Sequence, residues 1–153
     1  MMKAVLQRVS QAHVEIDGEV VGKIGYGLLI LFCAEQADTQ LDADKMLAKI
    51  LKLRIFSDDD GKMNRSILQL DGQDKMGELL IVSQFTLAAD VRSGNRPSFT
   101  KAAPPQLGQE LYEYFVGKAK ESIEHVATGQ FGSDMKIHLV NDGPVTIIMD
   151  SNA

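Results

Sequence analysis

Two short runs of uninterrupted apolar residues limit the folds open to this chain more than any other feature. Leu28-Leu29-Ile30-Leu31-Phe32-Cys33 and Leu79-Leu80-Ile81-Val82 carry no polar residue on either alternating face. Runs of strand length rich in branched side chains read as strands covered on both sides. Such strands need cover, and two amphipathic segments can supply it. Thr39-Gln40-Leu41-Asp42 resembles a capping box with an acid in place of the usual Glu or Gln. Met46, Leu47, Ile50 and Leu51 follow at helical spacing. The second segment starts after Pro104-Pro105, where Leu107, Leu111, Phe115, Ala119, Ile123 and Val126 step by threes and fours. Gly117 weakens this helix by roughly 1 kcal/mol relative to alanine. Its outward Lys118, Lys120, Glu121 and Glu124 read as a solvated face.

The other segments are half-buried or turns. Lys3 to Val9 and Ala12 to Ile16 alternate apolar and polar residues, Asp17-Gly18 signals a tight turn, and Glu19 to Lys23 returns as a hairpin strand. Leu53 to Phe56 predicts a short strand, and Ile67 to Leu70 has the composition of another. Asp58-Asp59-Asp60-Gly61 is a turn rather than a calcium loop, because a lysine follows where a ligand is needed and the closing glutamate is missing. Met135, Ile137 and Leu139 alternate with Lys136 and His138, which places His138 on an outward face. Proline cannot donate to a central ladder, so Gly143-Pro144 belongs at a strand entrance or an edge. The order of elements predicts a mixed α/β fold, one domain over residues 1–153, with two helices packed on a largely antiparallel sheet.

A chain of 153 residues, 44% hydrophobic and 24% charged, is long enough to bury a real core. Its longest apolar run, Leu28 to Ala34, is too short to cross a bilayer. Arg8 falls where a signal peptide needs apolar residues, so a cytoplasmic location is expected. Cys33 is the single cysteine and reads as a small buried hydrophobe. With neither a CxxC pair nor an HExxH motif, no metal site and no cofactor is expected. A net charge of −5 argues against non-specific adhesion to nucleic acid but leaves room for a local patch at Arg92, Arg96 and Lys101.

Chemistry is concentrated between Glu78 and Thr100. The strand Glu78 to Val82 runs into Ser83-Gln84-Phe85-Thr86-Leu87, where hydroxyls, an amide and an aromatic replace aliphatics. A loop rich in turn formers follows, Arg92 to Thr100. A rigid strand handing polar groups to a loop is a common way to build a site. Read alone, the same groups serve equally well to satisfy the backbone at a strand end.

Three segments together carry more. Ser83-Gln84-Phe85-Thr86-Leu87, Gly94-Asn95-Arg96-Pro97-Ser98-Phe99-Thr100 and Asn141-Asp142-Gly143-Pro144-Val145-Thr146 resemble, in order and spacing, signatures of the bacterial and eukaryotic type of D-aminoacyl-tRNA deacylases. The likeness extends through the opening Met2 to Val9. It implies a partial barrel with two helices, a homodimer with active sites at the interface, and an esterase that frees D-amino acids, or glycine mischarged on tRNA(Ala), from tRNA. It implies that Ser83, Gln84, Phe99, Ser98, Met135 and Phe131 meet the aminoacyl-adenosine end. Backbone N–H groups near Phe85 and Thr86 would stabilise the oxyanion, and Thr86 would act as nucleophile or water-positioner. Gly143 and Pro144, held in cis, would enter the neighbouring subunit's site and exclude L-residues. Arg8 would brace that loop or touch a phosphate. The alternative is a dimer of the same fold that holds nucleic acid or a nucleotide without hydrolysing it. A relative that clears L-alanine is disfavoured by the Ser83-Gln84-Phe85-Thr86 segment.

Overall fold

The computed structural model describes residues 1–152; Ala153, the last residue of the expected domain, lies outside them. Strand β1 (Lys3–Ile16) is the spine. Along one edge its second half pairs with β2 (Glu19–Ile24) and its first half with β3 (Gly27–Cys33), both antiparallel. Along the other edge it pairs with β8 (Lys136–Asp150) from Lys3↔Asp150 to Glu15↔Lys136. β6 (Glu78–Ser83) runs parallel to β3, and β7 (Val126–Thr128) parallel to β6. The sheet then curls until β7 meets β2. A Cβ on Gly22 would lie 2.2 Å from the Thr128 carbonyl oxygen, so only glycine allows this approach. The nearly closed sheet is the partial barrel anticipated from the sequence.

Two cores follow from strict alternation. Leu28, Ile30 and Phe32 of β3, with Leu79 and Ile81 of β6, face helices α1 (Gln40–Lys52) and α2 (Pro105–Ser122). Leu29 and Leu31, with Leu80 and Val82, face the barrel interior beside Val9, Val14 and Ile24. The two apolar runs are therefore covered on both sides as expected. Met46, Leu47, Ile50 and Leu51 form the buried stripe of α1, whose start is held by the Asp42 carboxylate accepting the Thr39 N–H at 2.8 Å.

Three sequence expectations give way. Residues 53–55 are not strand: Leu53 caps α1, and the Ile55 carbonyl accepts a hydrogen bond from Arg8 Nη1 at 2.8 Å in place of a ladder partner. Only Phe56–Ser57 (β4) pairs, with Met63–Arg65 (β5) across the Asp58–Gly61 turn. Residues 67–70 form turns, with Ile67 buried and its carbonyl taking the Gly77 N–H at 2.8 Å. The periodicity read through Val126 overruns α2, which stops at Ser122; Ile123 is extended, and Val126 opens β7.

Candidate active site

At the end of β6 the chain turns through one 3₁₀ turn, Phe85–Ala88. The strand is fixed by β3 and β7, so the groups just beyond it are carried on a rigid base. Among the described residues the N–H groups of Phe85 and Thr86 find no acceptor, as expected for the first residues of such a turn. Gln84 Nε2 donates to Thr86 Oγ1 at 2.6 Å, which leaves the threonine hydroxyl proton free to point outward.

Beside this turn lies a cavity of about 660 Å³. Ser83, Gln84, Phe85, Phe99, Phe131 and Met135 line it. Phe85 is 57% exposed and meets Phe99 edge-on, with centroids 5.2 Å apart, so the two rings form an aromatic rim. Pro104 and Gly108 at the start of α2, and Ile137 of β8, complete the walls. A larger, more open groove of about 890 Å³ runs past Lys52, Arg54 and Arg65, but it lacks aromatic walls. The 660 Å³ cavity combines apolar walls with a few convergent polar groups, the usual composition of a ligand site.

The remaining site candidates stand apart from this lining. Thr86 is exposed at the rim. Ser98 is tied to Asp90 by backbone hydrogen bonds of 2.7 and 2.9 Å, which close the Asp90–Ser98 loop. Arg92 is committed within that loop: its Nε and Nη2 donate to the Asp90 carboxylate at 2.9 and 2.6 Å and hold that carboxyl well below the ordinary range. The positive patch at this loop thus reduces to Arg96 and Lys101.

Gly143 and Pro144 are exposed and do not line the cavity of their own chain. Between Gln7↔Thr146 and Val9↔Asn141, β8 spends five steps where β1 spends two, so residues 142–145 loop out of the ladder. The bond between Gly143 and Pro144 is cis. Asn141, a residue to which sequence reasoning assigned no role, clasps the base of this loop. Its Oδ1 accepts the Val145 N–H at 2.9 Å, and its Nδ2 donates to Thr146 Oγ1 at 3.0 Å. Its place beside a turn-forming Asp-Gly-Pro was the only available signal. Buried Arg8 lies under the loop, with Nε donating to the Asp142 carbonyl at 2.9 Å while Nη1 holds Ile55.

Cys33 borders the cavity, but burial pushes its thiol up to about 11, so it stays protonated and is no nucleophile at neutral pH. Burial likewise raises the Tyr112 hydroxyl to about 12; it donates to the Ile81 carbonyl at 2.6 Å and supports β6 from behind.

A curled α/β sheet backed by two helices, with a preformed aromatic cleft at one strand end, defines a small ligand-site domain. Residues 5–150 match the family model described as D-Tyr-tRNA(Tyr) deacylase, and the chain belongs to that family. It is 66% identical over 146 residues to D-aminoacyl-tRNA deacylases of Polaromonas naphthalenivorans (strain CJ2) and Delftia acidovorans (strain DSM 14801 / SPH-1), a match covering 95% of this chain and 95% and 94% of theirs. Among solved structures, one titled c-Myc DNA Unwinding Element Binding Protein superposes with a TM-score of 0.90 at 40% identity, covering 99% of both chains. A probable eukaryotic D-amino acid tRNA deacylase shares the fold with a TM-score of 0.82 at 18% identity, over 97% of this chain and 98% of that one.

Proposed function

We propose that this protein works as a homodimer that hydrolyses the ester of D-aminoacyl-tRNA, and of glycine carried on tRNA(Ala), while sparing L-aminoacyl-tRNA. As a member of its family the chain is an ester hydrolase, a D-aminoacyl-tRNA deacylase. The observation that carries the finer reading is the separation of two parts. The cavity holds Ser83, Gln84, Phe85 and Phe99, whereas the Gly143-Pro144 loop of the same chain lines no part of it and stands braced and exposed. Such a loop suits insertion into a second copy's cavity. β8 supports a second copy too: beyond β1 it pairs with no strand among the described residues, and Ile148 on it is 83% exposed.

In this reading Phe85 and Phe99 hold the terminal adenosine by stacking, while Ser83 and Gln84 hydrogen-bond to it or to the aminoacyl group. Met135 and Phe131 wall the aminoacyl side, and Ser98 sets the loop that carries Phe99. Water attacks the ester carbonyl, and the charge that develops on its oxygen meets the N–H groups of Phe85 and Thr86. The Thr86 hydroxyl, fed by Gln84, orients that water or the ribose 2′-OH. Among the described residues the Thr86 hydroxyl is hydrogen-bonded to the Gln84 amide and to no base, so positioning rather than activation of a nucleophile is its part. The partner's Gly-Pro carbonyls face the α-amino group. An L side chain then collides with fixed backbone, a D side chain points to solvent, and glycine has nothing to collide.

A second reading, a nucleic-acid-binding dimer without hydrolysis, draws on the DNA-binding title of the relative at 40% identity. Deacylation of D-Tyr-tRNA and L-Tyr-tRNA side by side, at catalytic enzyme with chelator present, separates the two. Rapid loss of the D ester alone is the expected result. Survival of both esters would favour the binding dimer, and cleavage of both would remove the Gly143-Pro144 wall from the account.

A further inference from the structure

On the outer face of the barrel, away from the cleft, His13 of β1 stands directly across from His138 of β8. Their rings stack with centroids 4.4 Å apart and planes within 10°. Glu15, two residues along β1 and so on the same face, sets Oε1 3.2 Å from His13 Nε2 and 3.5 Å from His138 Nε2. We propose that His13, Glu15 and His138 form a binding site for a divalent transition metal of the zinc class, clipping β1 to β8.

The distances carry this assignment. Tetrahedral zinc with bonds of about 2.0–2.1 Å holds neighbouring ligand atoms about 3.4 Å apart. Two edges of the triangle already have that length, and all ligand atoms lie within 4.8 Å of one another. Binding requires the stacked rings to tilt out of parallel so that both Nε2 lone pairs meet at the metal, and the His138 ring, 50% exposed, has the room to do so. Two imidazoles and one carboxylate select borderline metals rather than magnesium or calcium. A fourth position faces solvent, open to water.

Flanking charges leave the carboxylate available. Lys136, across from Glu15, reaches Asp134 at 3.0 Å instead, and Lys23, across from His13 on β2, is exposed. The strand positions between the ligands point inward: Val14 is buried in the barrel, and Ile137 forms part of the cavity wall. A metal here ties the outer side of the strand pair whose inner side walls the cleft, and so stiffens the cleft without touching the substrate.

Calorimetric titration of the chelator-stripped full chain with zinc chloride tests this. One zinc per chain is expected, with no saturable heat from magnesium, and a melting temperature that zinc raises. Loss of a supporting residue outside the ligand set already weakens metal affinity by about 10–100-fold. His13→Ala and His138→Ala should therefore each weaken binding at least about tenfold and abolish the zinc-induced rise in melting temperature. Glu15→Gln, which keeps the side-chain shape, gives the same result should either histidine variant fail to fold. Deacylation by these variants in chelator stays at the wild-type rate. Absence of saturable zinc binding, or zinc binding that is indifferent to these substitutions, overturns the site.

Discussion

Gly143 combines a φ of +135° with crowding, since a Cβ there would stand 2.8 Å from Val145 Cγ2 and 3.0 Å from Arg8 Nη2. Neither neighbour yields easily: Arg8 donates to the Asp142 and Ile55 carbonyls, and the Val145 N–H is held by Asn141 Oδ1. Gly143→Ala therefore costs about 1–3 kcal/mol. At this chain length each kcal/mol lowers the melting temperature by about 2–4 °C, which differential scanning calorimetry reads directly. An unchanged melting temperature would mean that the loop is not braced as described. At this scale the sequence is only partly legible. The segments holding Ser83 to Thr86 and Gly143-Pro144 stand out through their residue types. The clasp by Asn141 does not, because it depends on which N–H and hydroxyl the fold brings within reach; for Arg8 the resemblance implied a brace on the loop, whereas its hold on the Ile55 carbonyl has no signal in the sequence.

Elements were legible where periodicity and burial agree. β3 and β6 have one pattern and one environment, and the stripe of α1 starts at a recognisable cap. α2 was misread at its end because Ile123 and Val126 continue the helical spacing although they pack from extended backbone. Residues 67–70 have the apolar composition of a strand, yet a loop can bury one side chain, here Ile67, without any ladder. Gly117 is a different case, a weak residue in a correctly read helix. It is exposed, and a Cβ there meets nothing within 4 Å. Gly117→Ala therefore stabilises the fold by up to about 1 kcal/mol, seen as a rise of about 2–4 °C in melting temperature. A fall would show that the helix is strained at that turn.

The molecule as a whole keeps two buried acids neutral, and this sets its response to alkali. Folding raises Cys33 from 9.0 to about 11 and Tyr112 from 10.0 to about 12, mainly by burial. The folded state thus retains protons that the unfolded chain releases. The associated stability is complete below about pH 9 and is lost as pH climbs through about 11 for Cys33 and about 12 for Tyr112. Urea denaturation from pH 7 upward should show stability declining beyond pH 9, and Cys33→Ala should delay the decline. A flat profile for the wild-type protein would contradict the burial of both groups.

β1 and β8 pair from end to end apart from the looped-out residues 142–145, with Lys3 opposite Asp150 and the Ser151 N–H donating to the Met2 carbonyl at 2.9 Å. On the ribosome β1 emerges with one edge bare, and every other strand and both helices are made before its partner β8. Contacts so distant in sequence form late and slowly. Met135 and Ile137, which wall the cleft, arrive with that same last strand. A chain translated only as far as β7 therefore lacks one wall of the cleft, and the cavity cannot be complete before β8 has docked on β1.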